Sequence, residues 1–477
     1  MRIFITGATG FIGRALVLRL RREGHQPVAW VRDLRRGRSL LGQEAELVAA
    51  SGGDAALDAA LASCEGVVNL AGENVLKGRW TRRRRRLLQD SRVARTEHLV
   101  AAMGRLPAPP RVLVSASAIG YYGDAGGAPR TEDASPGSDF LAQLCVAWEA
   151  AAMAATALGV RVTCPRIGVV LGHEGGMLDQ LLPLFASGLG GPIGDGRQIL
   201  SWIHLHDLVD SIVQALTDVR FVGPYNAVAP NPVDNATFTR LLAVALGQRA
   251  RLRVPRLALR LMLGRAAEVV LASVQALPER LTTWQFACSH PELGGALAAL
   301  LDASCVQLTV RGSGSPQPLD DGYVTRWRPD LLLRSETRLR QTRPEVFDFF
   351  CRAENLGLMT PAPMAMQILG NVPEPMRAEV EICYALRLGP LPMRWRTRIA
   401  RWQAPSLFVD AQMAGPYRAW WHEHAFHVDG SGTRMEDRVY YRIPLGPLGR
   451  LVHRFFIRQQ LQRIFWYRAS AIKLRFG

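Results

Sequence analysis

Cysteine is sparse in this 477-residue chain: there are seven cysteines, and no two of them form a Cys-x-x-Cys pair. Structural zinc sites commonly use such pairs, and disulfide frameworks use an even number of cysteines. The odd number and the missing pair argue against both kinds of site. They fit a reducing compartment, so we expect a cytoplasmic protein with no metal site.

Long apolar runs are also missing. No run reaches the roughly 18 residues that a membrane helix needs. The apolar start of the chain, Met1–Ile5, is too short for a signal peptide, and Gly-rich turn chemistry follows it at once. We therefore expect no integral membrane segment.

Lysine is almost absent. Only Lys77 and Lys473 occur, so the formal net charge of +17 comes almost entirely from arginine. Codon composition explains this bias better than a polyanionic partner does. The densest cluster, Arg82–Arg86, is typical of a solvated helix face. No stacking-aromatic motif or docking element accompanies the arginines, so we expect no nucleic-acid partner.

Short apolar strands alternate with helical stretches in the first part of the chain. Helical periodicity from Gly13 to Arg22, with Gly24 just beyond it, predicts one such helix. Alternation of this kind predicts an α/β fold of the Rossmann type with a doubly wound parallel sheet. The predicted strands are Ile3–Ile5, Val28–Val31, Val67–Leu70, Val112–Ser115 and Val160–Cys164.

A glycine-rich loop, Thr6–Gly13, lies between the first predicted strand and the first helix. Gly7 permits the tight turn, Gly10 lets the backbone approach a pyrophosphate, and Gly13 lets the helix pack closely on the sheet. The N–H groups at the start of the helix then face the phosphates. This placement predicts a dinucleotide site with the candidate contacts Gly7, Thr9, Gly10, Phe11, Ile12 and Gly13.

The end of the second predicted strand distinguishes NAD from NADP. An acidic residue there binds the ribose hydroxyls of NAD, whereas an arginine accommodates the additional phosphate of NADP. This chain has Arg32 at that position, and Asp33 beside it is the contrary evidence. We expect NADP, with NAD as the alternative.

At this point the sequence resembles a known family, the extended short-chain dehydrogenase/reductases. Within that family it resembles the branch of epimerase-like oxidoreductases of unassigned substrate. The resemblance covers about Met1 to Leu301 and implies cofactor contacts from Leu70, Ala71, Gly72 and Ser115, a small substrate lobe after Gly168, and a small C-terminal extension. The motifs that carry it are Thr6–Gly13, Asn69–Glu73, Arg79–Thr81, Ser115–Ser117, Ile119–Gly123, Arg166–Leu171, Gly190–Gly194, Trp202–Asp207 and Pro278–Leu301.

The last part of the chain changes character. It predicts a short strand, a helix over Pro344–Arg352, then alternating strands, and a long closing helix over Leu448–Phe476. The alternating strands are Met393–Trp402, Leu407–Met413, Arg418–Val428 and Arg434–Ile443. This α+β order resembles the helix-grip, START-like (SRPBCC) ligand-binding superfamily, which implies an apolar cavity that binds an apolar ligand. The motifs that carry the likeness are Pro344–Phe347, Asn355–Leu356, Thr360–Pro361, Gly415–Tyr417 and Thr433–Met435.

We therefore predict three segments. Residues 1–303 form the NAD(P)-binding epimerase-like domain, with 278–303 as its extension. Residues 304–330, which include Gly312–Pro316, form a linker, because Gly, Ser and Pro dominate there. Residues 331–477 form the START-like domain, and its terminal helix covers its own sheet rather than lying on a membrane.

Catalysis is the weak point of the resemblance. The superfamily uses a serine, a tyrosine and a lysine, with the tyrosine as general acid/base. Ser117 stands at the serine position, but the helical stretch Phe140–Glu149 has neither tyrosine nor lysine. Tyr122 is the best substitute acid, but its position favours a packed aromatic residue in a loop over an acid. Lys77 is a further candidate in the same cleft.

Histidines form two small groups. His204, His206 and Asp207 are a weak metal signal, because a fourth ligand is missing. His422 and His424 alternate on one strand face, where they could bind or protonate a ligand if that face lines the cavity. A half-exposed strand is the alternative explanation.

Two functions remain open from the sequence. The first is an NADP-dependent oxidoreductase or epimerase acting on a small hydroxy or carbonyl compound, with a ligand-binding C-terminal domain. The second is a non-catalytic NADP(H)-sensing protein whose output comes from that domain. The missing Tyr-x-x-x-Lys pair favours the second function. The sequence does not specify the substrate. It leaves the oligomeric state open as well, and a homo-oligomer is one possibility.

Overall fold

A computed structural model of the chain describes residues 1–173, 175–250, 252–302, 306–312, 314–319, 322–364, 366–370, 372, 376–388 and 391–477. These residues form two compact units. The first comprises Met1–Leu34 and Glu44–Leu300, and the second comprises Arg35–Gln43 and Leu301–Gly477.

The first unit is built on a parallel sheet. Its strands are β1 (Arg2–Thr6), β2 (Gln26–Val31), β3 (Glu46–Ala49), β4 (Gly66–Asn69), β5 (Val112–Ser115), β6 (Ser117–Ala118), β7 (Pro129–Arg130), β8 (Arg161–Ile167), β9 (Val169–Leu171), β10 (Ile199–Leu200), β11 (Trp202–His204), β12 (Gly223–Ala227), β13 (Val233–Asp234) and β14 (Gln275–Ala276). The main sheet runs β12-β8-β5-β4-β1-β2-β3, with β6 beside β8.

Helices connect these strands. They are α1 (Phe11–Arg22), α2 (Leu34–Leu41), α3 (Gly53–Ala62), α4 (Arg82–Asp90), α5 (Val93–Gly104), α6 (Phe140–Met153), α7 (Gly176–Ala186), α8 (Leu205–Thr217), α9 (Asn235–Ala245), α10 (Arg256–Leu263), α11 (Ala267–Leu271), α12 (Glu279–Thr283) and α13 (Leu293–Leu300). Ile3, Phe4 and Ile5 of β1 are fully buried, as a strand with neighbours on both edges and helices on both faces requires. The predicted Rossmann-type parallel sheet is confirmed.

The strand order reverses between β1 and β4. From β1 the chain moves outward to β2 and β3, and it then returns to β4 on the other side of β1. In a doubly wound sheet, ligands bind at the carboxyl ends of the strands at such a switch point. The Thr6–Gly13 loop and the Asn69–Gly72 segment both begin at this point.

One stretch, Phe140–Leu158, is long and apolar enough to meet the length and composition of a membrane span, and 44% of its most apolar window is buried. Its helical part, α6, contacts α5 and β8 of the same unit. Leu144, Cys145 and Trp148 are buried there. These contacts are those of a core helix, so we treat α6 as part of the core.

The second unit contains an antiparallel sheet. Its strands are β15 (Val306–Val310), β16 (Leu331–Leu339), β17 (Gln367–Leu369), β18 (Glu381–Leu388), β19 (Leu391–Gln403), β20 (Leu407–Ala414), β21 (Ala419–Asp429) and β22 (Gly432–Arg442), in the order β15-β16-β22-β21-β20-β19-β18-β17. Its helices are α14 (Tyr323–Trp327), α15 (Arg343–Phe350), α16 (Gly446–Val452) and α17 (Arg458–Phe476). The terminal helix lies against this sheet, with the Phe465 ring 5.8 Å from the His422 ring.

Two details of the predicted segments need correction. Residues 304–330 are not only a linker, because Val306–Val310 pairs along its whole length with β16 and Tyr323–Trp327 is helical. The boundary expected at residue 303 lies outside the described residues. Arg35–Gln43 groups with the second unit, where Ser39 Oγ donates a hydrogen bond to the Met366 carbonyl oxygen.

Candidate functional site

The glycine-rich loop makes a turn that side chains would block. Gly7 has a φ of 72°, and a Cβ atom there would lie 2.8 Å from the Leu70 carbonyl carbon and oxygen. A Cβ atom on Gly13 would lie 2.3 Å from the Gly7 carbonyl oxygen. The Gly10 N–H closes the turn by donating to that same oxygen over 2.9 Å. Glycine at positions 7 and 13 is therefore a steric requirement of the turn.

Helix α1 starts directly after this turn, at Phe11. Among the described residues no side chain caps its N-terminus, where Gly10 is the N-cap residue. The N–H groups of the first helical turn are consequently available to a phosphate, and the helix dipole favours the negative charge. Thr9, Phe11 and Ile12 are half-buried in this loop. The Phe11 ring packs against the backbone of Gly175 and Gly176.

A second segment, Asn69–Gly72, runs beside the glycine loop and is tied to it by side chains. Thr6 Oγ1 donates to Asn69 Oδ1 over 2.6 Å and accepts from the Ala71 N–H over 3.2 Å. Asn69 Nδ2 donates in turn to Ser115 Oγ over 3.1 Å. These bonds join the carboxyl ends of β1, β4 and β5. The expected cofactor contacts Leu70, Ala71, Gly72 and Ser115 are thus brought together with the loop.

Arg32 follows the last residue of β2, which lies next to β1 in the sheet. Its side chain is exposed, as is that of Asp33. The glycine cradle and an arginine at this strand end fit a dinucleotide that carries a phosphate on its ribose.

Ser117 is buried, and its hydroxyl is engaged with α6. It is 2% exposed, and its Oγ donates to Glu149 Oε1 over 2.6 Å. Cys145 lies one helical turn before Glu149 and is close to Ser117 as well. Burial raises the pKa of the Cys145 thiol to about 12, with smaller effects from Glu149 and from a hydrogen bond to Ser117. Cys145 and Glu149 thus both lie beside Ser117, and they are four residues apart, which is the spacing of a Tyr-x-x-x-Lys pair.

Arg166 completes this group with a buried ion pair. Its Nε and Nη2 atoms donate to the two oxygens of Glu149 over 2.9 and 3.0 Å. Burial lowers the pKa of Arg166, but the bonds to Glu149 outweigh it and the net shift is upward. Neither Glu149 nor Arg166 is among the site residues predicted from the sequence. The one available signal was an acidic residue in an otherwise apolar helical stretch.

Tyr122 belongs to the same buried network. It is 3% exposed, its hydroxyl donates to Asn226 Oδ1 over 2.7 Å, and it accepts from Arg166 Nη1 over 3.0 Å. Burial raises the pKa of the Tyr122 hydroxyl, against the opposing effect of Arg166. The structure links Ser117 to Tyr122 through Glu149 and Arg166. The role of Tyr122 as an acid stays a prediction.

In the first histidine group, His204 and Asp207 hold a neighbouring loop in place. Asp207 accepts hydrogen bonds from the backbone N–H groups of Ser289 and His290 over 2.8 and 3.1 Å. The His204 ring stacks on the His290 ring with 3.8 Å between centroids. Asp207 thereby fixes the loop that precedes α13. Lys77, the other candidate near the cleft, is exposed.

The second unit contains a cavity of roughly 200 Å³. His422, His424, Asp410 and Arg468 form a polar group in its wall. The face with His422 and His424 lines this cavity, and the alternative of a half-exposed strand does not hold for them. The rest of the lining is largely apolar and includes Leu356, Met359, Ile382, Leu386, Trp395, Ile399, Trp402, Phe408, Leu461 and Phe465.

Two family models match the sequence. Residues 3–228 match the NAD dependent epimerase/dehydratase family, and residues 254–300 match a domain of unknown function, DUF1731. Together they cover the parallel sheet and the segments that follow it.

Similar proteins cover the same part of the chain. The human epimerase family protein SDR39U1 is 37% identical over 306 residues, which is 63% of this chain and 100% of that protein. A chloroplastic homologue from Arabidopsis thaliana is 38% identical over 307 residues, 63% of this chain and 87% of that protein. The crystal structure of human SDR39U1 (isoform 2) with NADPH matches with a TM-score of 0.57 and 34% identity, over 63% of this chain and 99% of that chain.

Proposed function

This chain belongs to the NAD dependent epimerase/dehydratase family, and we propose that it is an NADP-dependent oxidoreductase or epimerase-like protein acting on a small hydroxy or carbonyl compound. The observation that carries the proposal is the Gly7–Gly13 turn at the switch point between β1 and β4. The structure of the related human protein contains NADPH, which supports NADP as the cofactor.

In this proposal, different residues bind different parts of NADP. The N–H groups at the start of α1 bind the pyrophosphate, and Gly7 and Gly13 keep the backbone close enough for that contact. Arg32 pairs with the phosphate on the ribose, while the backbone of Leu70–Gly72 borders the cofactor on the β4 side. When bound, NADP supplies a nicotinamide ring that accepts or donates hydride.

In the catalytic form of this proposal, Ser117 orients the substrate oxygen and Tyr122 is the acid. The contacts of both residues constrain that form. Ser117 must exchange its bond to Glu149 for one to the substrate, and Tyr122 must release a partner of its hydroxyl. Arg166 favours the exchange at Ser117, because its guanidinium already compensates the charge of Glu149.

A second function, non-catalytic sensing of NADP(H), is supported by one observation. Cys145 and Glu149 stand at the spacing where a catalytic pair would stand, and a protonated thiol and a paired carboxylate do not replace tyrosine and lysine. In this alternative the network around Arg166 only stabilises the first unit, and the cofactor acts as the signal.

For the second unit we propose a START-like, helix-grip ligand-binding domain. Its antiparallel sheet, its long terminal helix and the largely apolar cavity support this assignment. A cavity of roughly 200 Å³ accommodates the body of an apolar small molecule. The ligand serves as substrate reserve in the first function and as the second signal in the alternative.

The test is a fluorescence titration of the full chain with NADPH and NADH. We expect Arg32→Glu to weaken NADPH binding more than about tenfold, because a charge-assisted bond to phosphate contributes about 1.5–3 kcal/mol, and to affect NADH less. Arg111→Glu is the matched control, since Arg111 is exposed and precedes β5 at the opposite end of the strands.

Absence of NADPH and NADH binding by the wild-type chain would overturn both functions. If NADPH binds, a screen for its oxidation with carbonyl compounds separates them. Turnover that depends on Ser117 supports the enzyme, and binding without turnover across the screen supports the sensor.

A further inference from the structure

Three neighbouring strands of the second unit bring histidines and carboxylates together. His422 and His424 alternate on β21 and so share one face. Asp410 on β20 stands directly opposite His422, and Asp437 on β22 stands directly opposite His424. His422 and His424 are 5% and 4% exposed, so this group lies inside the unit and not on its surface.

The distances give each imidazole nitrogen a distinct environment. His424 Nε2 lies 2.9 Å and His422 Nδ1 lies 3.5 Å from the same oxygen, Asp410 Oδ2. The two remaining nitrogens, His422 Nε2 and His424 Nδ1, each lie 2.9 Å from Asp437 Oδ1. We call the two nitrogens that face Asp437, His422 Nε2 and His424 Nδ1, the outer nitrogens. The two that face Asp410, His422 Nδ1 and His424 Nε2, are the inner nitrogens.

We propose that His422 Nδ1, His424 Nε2 and the Asp410 carboxylate bind a divalent transition-metal ion in the cavity of the second unit. Atoms from these three side chains lie within 4.8 Å of one another, which leaves space for an ion between them after small side-chain rotations. Two imidazoles and one carboxylate are a ligand set for zinc and for non-haem iron that keeps coordination positions open.

Asp437 has the position of a group that orients metal-binding histidines. Such imidazoles usually donate their other N–H to a carboxylate, which fixes the tautomer and the ring orientation. With an ion bound, the outer nitrogens of both rings carry protons and donate to Asp437 Oδ1. Arg468 Nη2, which lies 3.2 Å from His424 Nδ1 and 3.6 Å from Asp437 Oδ1, then pairs with Asp437 alone.

The charges of the buried group favour a cation. Asp410 and Asp437 carry two negative charges and Arg468 carries one positive charge, so the group needs one further positive charge, which either a proton on an imidazole or a metal ion supplies. Buried charge is costly unless it is paired or bound to a metal. A divalent ion changes the balance to one positive charge, which an anionic oxygen from a bound molecule neutralises.

That balance also identifies the class of ligand, a conclusion that rests on the proposed ligand-binding function of this unit. All three metal-binding residues line the cavity, so the open coordination positions face its apolar walls. The ligand that fits is an apolar molecule with one anionic oxygen group, such as a carboxylate or an enolate. The oxygen binds the ion and the apolar body packs on residues such as Trp395 and Phe408.

The test uses the full chain, stripped with a chelator and titrated with Co²⁺, whose visible absorption reports nitrogen and oxygen ligands. We expect one equivalent to bind, with zinc displacing it. His422→Ala and Asp410→Asn lose this band, and Asp437→Asn weakens binding about 10–100-fold, as loss of an orienting carboxylate does. His427→Ala, on the same strand but the opposite face, keeps the band.

The NADPH affinity of each variant, measured in parallel, reports whether the first unit remains folded, and far-ultraviolet circular dichroism reports on the whole chain. If His422→Ala does not fold, the near-isosteric Asp410→Asn decides. Wild-type protein that binds neither Co²⁺ nor Zn²⁺ overturns the proposal, as does a band that survives both His422→Ala and Asp410→Asn.

Retention of an apolar carboxylate, followed by mass spectrometry of an organic extract, is a separate measurement. A metal-binding protein that retains no such ligand contradicts the cavity function and the ligand class, while the metal site stands.

Discussion

Replacing Glu149 by methionine should destabilise the first unit strongly. The carboxylate accepts three hydrogen bonds, one from Ser117 Oγ and two from Arg166, and the Arg166 side chain is only 3% exposed. Without Glu149 the guanidinium stays buried and loses its ionic partner. Removing one member of a buried ion pair typically costs about 3–5 kcal/mol, so we expect a loss of that order.

A second substitution separates the charge from the packing. Arg166→Met in the Glu149→Met background removes the unpaired charge, and apolar replacement of a whole buried pair is often close to neutral. We therefore expect the double variant to be more stable than Glu149→Met alone. Glu149→Gln should be intermediate, with a cost of about 2 kcal/mol, because an amide oxygen at the Oε1 position still accepts from Ser117 and Arg166 but the charge and the bond at Oε2 are lost.

The assay is hydrogen exchange of the α6 amides, together with thermal unfolding of the full chain followed by circular dichroism. Local exchange is needed because two units need not unfold together. The control is Asp58→Ala. It breaks an exposed pair in which Arg105 donates to Asp58 over 2.6 and 2.9 Å, and we expect a loss of less than about 1 kcal/mol. Exchange in Glu149→Met equal to wild type, or a double variant less stable than the single one, would show that the unpaired Arg166 charge does not destabilise the unit.

Three further predictions concern the same unit. Gly13→Ala should abolish NADPH binding, because its Cβ atom would lie 2.3 Å from the Gly7 carbonyl oxygen. Gly104→Ala is the control and should bind NADPH normally, because the nearest atom to its Cβ would be 3.5 Å away. Equal NADPH affinities of the two variants would contradict this prediction. Tyr122→Phe should lower stability by about 1–2 kcal/mol in thermal unfolding and leave the NADPH affinity unchanged. If the wild-type protein turns over a substrate, undiminished turnover by this variant would refute Tyr122 as the acid. Burial raises the pKa of Cys145 from 9.0 to about 12, so the unfolded state releases its proton first and stability falls as pH rises above about 9. Between pH 7.5 and pH 10 Cys145 contributes about 1.4 kcal/mol to this loss in urea unfolding, so Cys145→Ala should lose about 1.4 kcal/mol less stability over that range than the wild type.

The second unit shows where sequence patterns were sufficient and where they were not. Period-two alternation predicted most strands of its sheet, including the one with His422 and His424 on a single face. The strands Val306–Val310, Gln367–Leu369 and Glu381–Leu388 were missed. Val306–Val310 lies next to Gly- and Ser-rich residues that favour a linker, and pairing with β16 overrides that local preference.

Local sequence patterns were sufficient to predict the cofactor turn and the parallel sheet. The roles of Gly7 and Gly13 depend on backbone conformation within a few residues, and the alternation of strands and helices is a local pattern too. The sequence also established that no Tyr-x-x-x-Lys pair exists, since that spacing can be checked residue by residue.

Which side chains meet could not be predicted from such patterns, because contacts between distant segments depend on the complete fold. Ser117, Glu149 and Arg166 come from three separate elements, and strand pairing brings them into one buried network. The expectation of no metal site rested on cysteine spacing, which carries no information on where Asp410 and Asp437 lie. Antiparallel register places both carboxylates opposite the histidines, and register depends on turns and packing between strands that no local pattern specifies.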